Sequence, residues 1–221
     1  MFGDRYRQPV ALALLALDRI GDRPLSCAFG DAGAALRAEV MTPLVKAWCT
    51  DVGIEVASLG IQVHGGMGYI EETGAAQHLR DARIASIYEG TNGIQAADLV
   101  GRKLGLDGGL AFDELIADIE AEAQDQRLIA LTDAVEVAAA TLRASPPDDR
   151  LAGSYPFLTM VSVMTAGWLL ERMARSDGAD DQARAAAKYF LASIVPEAMG
   201  LSAAAEAGAA LLYSVAAEAL A

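Results

Sequence analysis

Apolar residues recur every three to four positions along most of the chain, which is the spacing of one face of an α-helix. Short segments rich in glycine, proline and aspartate separate these stretches. No stretch shows the strict apolar–polar alternation that is typical of a half-buried strand. The pattern therefore predicts an all-α protein. The predicted helices cover residues 4–20, a segment from about 31, then 42–63, 74–87, 93–104, 111–124, 126–144, 155–176, 179–195 and 197–219.

Particular residues predict where several of these helices begin or end. Thr42 followed by Pro43 is a favourable pair for an N-cap and a first helical residue, so a helix is predicted to start there. Asn92, with Gln95 three positions later, fits a capping box at the start of another helix. Pro196 is predicted to separate the last two helices.

The glycine-rich segment 105–109 reads as a linker and divides the chain into two parts. The pattern predicts an up-and-down helical bundle over residues 1–105 and a second helical domain over residues 110–221. With 221 residues, of which 53% are hydrophobic and only 6% aromatic, the chain is long enough to bury a sizeable core in one or two helical units.

Charge and composition exclude several function classes. A net charge of −13 argues against nucleic acid or an anionic membrane as a partner. The most apolar segment, residues 155–170, is short for a membrane span. Two cysteines without a spacing pattern favour a reducing compartment, and residues 1–20 do not resemble a signal peptide, so a cytoplasmic location is expected. The two histidines lack metal-ligand spacing, so no metal site is predicted.

The candidate chemistry lies in residues 62–95. The cluster Gly65-Gly66-Met67-Gly68 precedes Glu89, which lies in a predicted tight turn over residues 88–93. A carboxylate beside flexible backbone and a helix N-terminus can serve proton abstraction and phosphate binding. Each feature alone has a plainer explanation: an isolated loop glutamate is usually solvated, and a glycine cluster often marks a helix end.

As one ordered string, residues 62–95 resemble the C-terminal region of the acyl-CoA dehydrogenase family. The flanking segments 42–51 and 98–104 extend the resemblance to the 3-methylmercaptopropionyl-CoA dehydrogenase-like branch, which carries an extra helical C-terminal domain. The matching positions are Gln62, Gly65, Gly66, Gly68, Tyr69, Glu72, residues 80–84, residues 87–92, Ile94 and Gln95.

The resemblance implies a catalytic role for the Glu89 turn. Glu89 matches the family's base, which removes the α-proton of an acyl-CoA thioester while the β-hydride passes to FAD, giving a 2-enoyl-CoA. Tyr88 and Gly90 are the implied substrate-binding residues. Because the chain is acidic, binding of the anionic CoA thioester is expected to depend on local positive charge. The candidate cations are Arg80, Arg83, Arg102 and Lys103.

The resemblance also implies FAD-binding positions at Gln62, Gly65, Gly66 and Thr91. Thr91 matches a residue that contacts the FAD diphosphate, and Gln62 and Gly66 match positions that touch the FAD of a neighbouring subunit, so a homo-oligomer, at least a dimer, is expected. Gly93 departs from the family pattern, because many members carry an FAD-binding glutamine there.

Length limits what the resemblance implies. Family members place an N-terminal helical domain and a β-domain before this region, and residues 1–40 supply neither. Three hypotheses follow: the C-terminal portion of an acyl-CoA dehydrogenase that passes electrons to electron-transfer flavoprotein or a similar acceptor, an acyl-CoA oxidase-type relative, or a catalytically inactive helical fragment or assembly partner.

Overall fold

The computed structural model describes residues 32–215 and residue 219, and every regular element in this part of the chain is helical. The all-α prediction is confirmed, while the helix predicted over residues 4–20 lies outside the described residues. The helices are α1 (Ala32–His64), α2 (Gly66–Tyr69), α3 (Ala75–Arg83), α4 (Asn92–Gly101), α5 (Leu110–Glu122), α6 (Gln126–Ala144), α7 (Pro147–Ala152), α8 (Ser154–Ala174), α9 (Asp181–Tyr189), α10 (Val195–Met199) and α11 (Ser202–Glu206).

The first of these helices continues through the predicted start at Thr42. Pro43 lies inside α1, which has 33 residues, so the prediction of an N-cap at Thr42 is wrong. The Thr42 hydroxyl instead donates to the carbonyl oxygen of Ala38 at 2.7 Å, as threonines inside helices do. Proline removes one helical hydrogen bond. Val40 and Leu44 are nevertheless buried on either side of it, and this packing keeps the helix continuous.

The two halves of α1 differ in burial. Val40 and Ala47 are fully buried, whereas from Val52 onward the helix is half-buried or exposed, and Val63 is 63% exposed. Helix α1 packs against α3, α4 and α8, and its buried core residues, Val40, Leu44, Ala47 and Trp48, all precede Val52. The end of α1 therefore projects beyond the main core, carrying the segment with candidate chemistry.

One hydrophobic core runs across both parts of the chain. Trp48 of α1 meets Phe190 edge to face, with ring centroids 6.4 Å apart. Phe112 of α5 and Phe157 of α8 are both fully buried and lie 6.0 Å apart. Side chains from α1 and α4 thus share a core with those from α5, α6 and α8. The division into domains at residues 105–110 stays a prediction from the sequence.

The connection between the two parts is held by Arg143 of α6. The connection is the segment Lys103–Gly109. It is largely 3₁₀-helical but turns sharply, with Asp107 at φ +52° and Gly109 at φ +99°. The Arg143 guanidinium donates to the carbonyl oxygens of Leu104 at 3.0 Å and Gly109 at 3.2 Å. It also pairs with Asp113 at 2.8 Å. Backbone groups of the bend are thereby satisfied by one side chain.

The C-terminal helices differ from the prediction. Residues 145–149 were expected to break the chain, yet Pro147 begins α7, a position that suits proline. Pro196 does not separate two helices, because α9 continues through a π-helical segment, Phe190–Ile194, into α10. The helix expected over residues 197–219 ends at Met199 and resumes as α11, and residues 207–215 form turns. The helices predicted over 111–124, 126–144 and 155–176 are confirmed within two residues at each end.

The buried Lys103 links α4 to α1 through two carboxylates. One of them, Glu39, should make the free energy of unfolding depend on pH. The Lys103 side chain is 3% exposed and pairs with Glu39 of α1, and it lies 3.8 Å from Asp98 of α4. The hydrogen bond with Lys103 lowers the pKa of Glu39 below its usual 4.5. A lowered pKa contributes stability above the unfolded value, and this contribution is lost as pH falls from about 4.5 through the folded pKa.

We therefore expect Glu39→Gln to flatten the loss of unfolding free energy below pH 4.5, because this residue can no longer take up a proton on unfolding. Urea unfolding at a series of pH values measures the slope. Glu114→Gln, at an exposed glutamate of α5 with no ion pair among the described residues, is the control and should keep the wild-type slope. Equal slopes for all three proteins would contradict the prediction.

Candidate functional site

The Glu89 turn has a strained backbone. It lies between the 3₁₀ segment Ile84–Ser86 and α4, with Glu89 at φ +54° and Gly90 at φ +87°. Glycine adopts this left-handed region freely, but a residue with a side chain pays about 1–3 kcal/mol for it. The Glu89 side chain is exposed, and its backbone N–H makes no hydrogen bond within the described part of the chain. The strain marks this turn as a candidate site.

Two contacts hold the turn, and both differ from the predicted capping box. Thr91, not Asn92, is the N-cap of α4, and its hydroxyl accepts from the N–H of Ile94 at 3.3 Å. The Gln95 side-chain amide donates to the carbonyl oxygen of Glu89 at 3.3 Å. The predicted capping box is therefore wrong. Gln95, in the first turn of α4, holds the preceding Glu89 turn through its side chain.

Asn92 does not cap α4 because its side chain forms hydrogen bonds with α1. It is the first residue of α4, only 4% exposed, and its side chain enters the face of α1. Its amide nitrogen donates to the carbonyl oxygen of Ala47 at 3.1 Å, the hydroxyl of Thr50 at 2.9 Å and the carboxylate of Asp51 at 2.7 Å. Its amide oxygen accepts from Lys46 Nζ at 2.8 Å. Asn92 therefore anchors the start of α4 to α1.

Residues 65–68, here called the glycine turn, follow the exposed end of α1. The Gly65 N–H donates to the carbonyl oxygen of Gln62 at 3.1 Å, and Gly65 has φ +60°. Gly68 is buried, and a Cβ there would lie 2.3 Å from the carbonyl oxygen of Ile61, so glycine is required for α2 to fold back on α1. Gln62, Gly65 and Gly66 are exposed. These three exposed residues can therefore contact another molecule.

The structure brings some candidate residues together and keeps others apart. Tyr88, Glu89, Gly90 and Thr91 form one continuous turn. The glycine turn lies beyond the other end of α3, whose nine residues span roughly 13 Å at the helical rise. No hydrogen bond joins the two turns within residues 32–215. The two groups of candidate residues are thus separate surfaces, and their placement against cofactors of different subunits stays a prediction.

Large apolar side chains around both turns are exposed to solvent. Tyr88 itself is 50% exposed. Exposed apolar residues clustered around a turn mark a surface that another domain or molecule covers. The exposed set is Val63, Met67, Tyr69, Ile70, Ile84, Ile87, Tyr88 and Ile94.

The four cations proposed for CoA binding all have partners within the chain. Arg80 and Arg83 nevertheless remain on the surface, whereas Lys103 is buried. The last is therefore a structural residue. The contacts are Arg80 with Glu71, Arg83 with Ser86, Arg102 with Asp98, and Lys103 with Glu39 and Asp98.

Other candidate chemistry is sparse in the part of the chain that the structure covers. Within it no three His, Cys, Asp or Glu side chains gather to hold a metal ion. His64 is exposed and its Nδ1 lies 2.9 Å from the carbonyl oxygen of Gly60. Burial raises the pKa of the Cys49 thiol to about 11, which disfavours the reactive thiolate. None of the described helices is long and apolar enough to cross a membrane.

The polar network behind the Glu89 turn is not among the candidate residues that the sequence predicts. Lys46 and Thr50 are one helical turn apart, and Asp51 follows, so their spacing on α1 is the signal that could have grouped them. Tyr155 of α8 donates its hydroxyl to Asp51 across 104 residues of sequence, and no pattern in the sequence indicates that contact. Burial raises the pKa of Tyr155 to about 12, and the neighbouring Asp51 adds to the shift.

Comparison with known proteins assigns both parts of the chain. Residues 28–104 match the family model for the acyl-CoA dehydrogenase C-terminal domain, and residues 109–216 match the model described as acetyl-CoA dehydrogenase C-terminal like. A 3-methylmercaptopropionyl-CoA dehydrogenase of Ruegeria pomeroyi is 48% identical over 154 residues, which are 63% of this chain and 26% of that protein.

Solved structures share the fold. An acyl-CoA dehydrogenase family protein of Caenorhabditis elegans, ACDH-11 in complex with C11-CoA, aligns with a TM-score of 0.66 at 21% identity and covers 84% of this chain and 33% of its own. An acyl-CoA dehydrogenase of Bacillus anthracis complexed with FAD aligns at 0.55 and 19% identity, covering 74% and 32%. The chain thus spans about a quarter to a third of the length of these relatives. The chain belongs to the acyl-CoA dehydrogenase family and corresponds to the C-terminal helical region of its members.

Proposed function

We propose that this chain supplies the catalytic base of an FAD-dependent acyl-CoA dehydrogenase, with Glu89 removing the α-proton of an acyl-CoA thioester. The observation that carries the proposal is the exposed carboxylate of Glu89 on a turn held at φ +54°. Strain of this kind persists where surrounding contacts enforce it, here Gln95 and the Thr91-capped start of α4. A general base must be fixed before its substrate arrives.

In the proposed step the α C–H bond breaks and its proton passes to the Glu89 carboxylate. Bound FAD supplies the acceptor for the β-hydride, so that the product is a 2-enoyl-CoA. The backbone N–H of Glu89, which has no acceptor within the described residues, can donate to the thioester carbonyl oxygen. That hydrogen bond stabilises the charge that develops as the α-proton leaves. Tyr88 and Gly90, on either side, are the proposed substrate contacts.

The residues around α4 fit an anionic cofactor group. The N–H groups of Asn92 and Gly93 make no hydrogen bond within residues 32–215, and Gly93 is exposed. Unpaired N–H groups at the start of a ten-residue helix suit a diphosphate. Thr91 stands beside them. Gln62, Gly65 and Gly66, on the other exposed turn, are the proposed contacts for the FAD of a neighbouring subunit.

The proposal requires more protein than this chain. The exposed apolar residues around both turns support the proposal that other protein covers this surface in the working enzyme. The matched residues make up only about a quarter to a third of the relatives. We propose a homo-oligomer, an acyl-CoA substrate, electron-transfer flavoprotein or a similar electron acceptor, and a cytoplasmic location, which the cysteine usage favours.

Absorption spectroscopy tests the proposal. The purified chain is titrated with FAD, and an acyl-CoA is then added without oxygen. A flavin band that co-purifies or is retained after desalting, and that bleaches with the acyl-CoA, supports the proposal. Failure to retain flavin, both by this chain alone and with the domains that precede this region in its relatives supplied, contradicts the proposal and favours the inactive helical fragment or assembly partner. Oxygen consumption during turnover would instead indicate an acyl-CoA oxidase-type relative.

A further inference from the structure

We propose that Tyr155 and Asp51 are positioning residues for the Glu89 turn, through a hydrogen-bonded chain that runs from α8 across α1 to the first residue of α4. This inference rests on the proposed function, since it assigns those residues a role toward the same base. It also gives the C-terminal part of the chain a direct influence on the site, because Tyr155 lies far beyond the residues of the turn.

The Asp51 carboxylate is the bridge. One of its oxygens accepts the hydroxyl of Tyr155, and the other accepts the side-chain amide of Asn92 at 2.7 Å. A carboxylate that accepts from both sides is fixed in orientation, and hydrogen bonds to a charged group are stronger than neutral ones. The hydroxyl of Tyr155 therefore limits how Asp51 can turn, and Asp51 limits where Asn92 can lie.

Asn92 transmits this constraint to the turn. Its side chain is almost fully buried, and Lys46 Nζ holds the amide oxygen at 2.8 Å while Asp51 and Thr50 hold the nitrogen. Glu89 precedes Asn92 by three residues. Its carbonyl oxygen accepts from Gln95, which lies three residues after Asn92. Both fastenings of the strained turn therefore depend on where the first turn of α4 is placed.

Hydrogen exchange tests the link without requiring flavin or activity. Tyr155→Phe removes one hydroxyl and keeps the ring. Tyr213→Phe is the matched control, because Tyr213 also donates to an aspartate, Asp148, at 3.2 Å, but is 70% exposed, and neither side chain has a hydrogen bond to α1 or α4 within the described residues. The reporters are the amides of Ile94 and Gln95 in the first turn of α4, with the Ile129 amide in the first turn of α6 as reference.

Tyr155→Phe is expected to speed exchange at Ile94 and Gln95 by about 2- to 10-fold, the loss expected for one hydrogen bond, while Ile129 changes less. Asp51→Asn, which keeps the shape of the side chain, should act in the same direction. Tyr213→Phe should leave Ile94 and Gln95 unchanged. Equal changes at all three amides would show a general loss of stability and overturn the proposal, as would no change at Ile94 and Gln95.

Kinetics in a flavin-loaded preparation separate positioning from binding. Tyr155→Phe is expected to lower kcat for acyl-CoA oxidation several-fold with KM little changed, because a misplaced base affects the chemical step and not the affinity. A rise in KM at unchanged kcat, or no change in either, overturns the role toward the base. If flavin is never retained, the proposed function fails for this chain, whereas the exchange result still decides whether the network holds the turn.

Discussion

Glu89→Gln is expected to lower the rate at which an acyl-CoA reduces a flavin-loaded preparation of this protein by roughly 10²–10⁴-fold, the range for removing a general base. Glutamine has nearly the same shape but cannot accept the α-proton. Within the described part of the chain the turn is held through the backbone of Glu89 and through Thr91, so the change leaves both contacts in place. Anaerobic stopped-flow measurement of flavin bleaching gives the rate directly.

The control separates loss of the base from loss of the fold. Glu114→Gln makes the same chemical change at an exposed glutamate on α5 and should leave the rate unchanged. The melting temperature and the flavin content of Glu89→Gln should match those of the wild type, since its side chain is exposed. A variant that reduces flavin at the wild-type rate would remove Glu89 from the proposed mechanism.

Gly153→Ala should give the largest loss of stability of the substitutions considered. Gly153 joins α7 to α8, and a Cβ there would lie 2.0 Å from the carbonyl oxygen of Ala205 in α11 and 3.1 Å from Leu142 Cδ2. The obstacle is backbone on a fully buried residue, so no side-chain rotation relieves it. Overpacking costs about 1–3 kcal/mol and occasionally more, and we expect a value at or above the upper end.

The sign of this effect distinguishes packing from backbone preference. Gly153 has φ −83° and ψ −4°, which alanine adopts readily, so without the contact the substitution would stabilise the protein. Gly53→Ala in α1 is the matched control: its Cβ meets nothing within 4 Å, and we expect a gain of about 0.5–1 kcal/mol. Thermal unfolding should place the melting temperatures of the two variants on opposite sides of the wild type. A Gly153→Ala protein as stable as the wild type would contradict the close approach of α11.

Gly153 and Tyr155 are two residues apart in the chain but contact different parts of the molecule. The contact of Gly153 with Ala205 belongs to the packing of the C-terminal helices, whereas Tyr155, two residues further along α8, reaches Asp51 and the site. A clash at Gly153 can therefore also disturb the network through α8. Exchange at Ile94 in Gly153→Ala would rise together with exchange at Ile129, because the loss is general.

Helices whose bounds depend on local signals were predictable, whereas those whose bounds depend on tertiary packing were not. The helices over residues 111–124, 126–144 and 155–176 were predictable because apolar periodicity and the flanking polar segments agree. The continuation of α1 through Thr42 and Pro43 was not predictable. Val40 and Leu44 pack into the core on both sides of Pro43, and no local signal reveals the burial that keeps α1 continuous.

The same holds for the site. The ordered string of residues 62–95 was enough to identify the family, because family membership follows from residue type and order along the chain. The role of Glu89 as the base stays a prediction from the same string. The capping prediction failed at Asn92, because its side chain has better partners on α1 than the helix N-terminus offers. Which neighbour captures an asparagine depends on what lies within about 3 Å of it in space.

By itself, the sequence determined that this chain is helical, that it belongs to the acyl-CoA dehydrogenase family and that Glu89 is its candidate base. These properties follow from periodicity and from residue order, both of which are written along the chain. The tertiary structure alone decided the left-handed backbone of Glu89, the separation of the glycine turn from the Glu89 turn, and the contact of Tyr155 with Asp51. The contact of Tyr155 with Asp51, and that of Asp51 with Asn92 at the start of α4, depend on the packing of helices that are distant in sequence. That packing is specified by the whole core and not by any one segment.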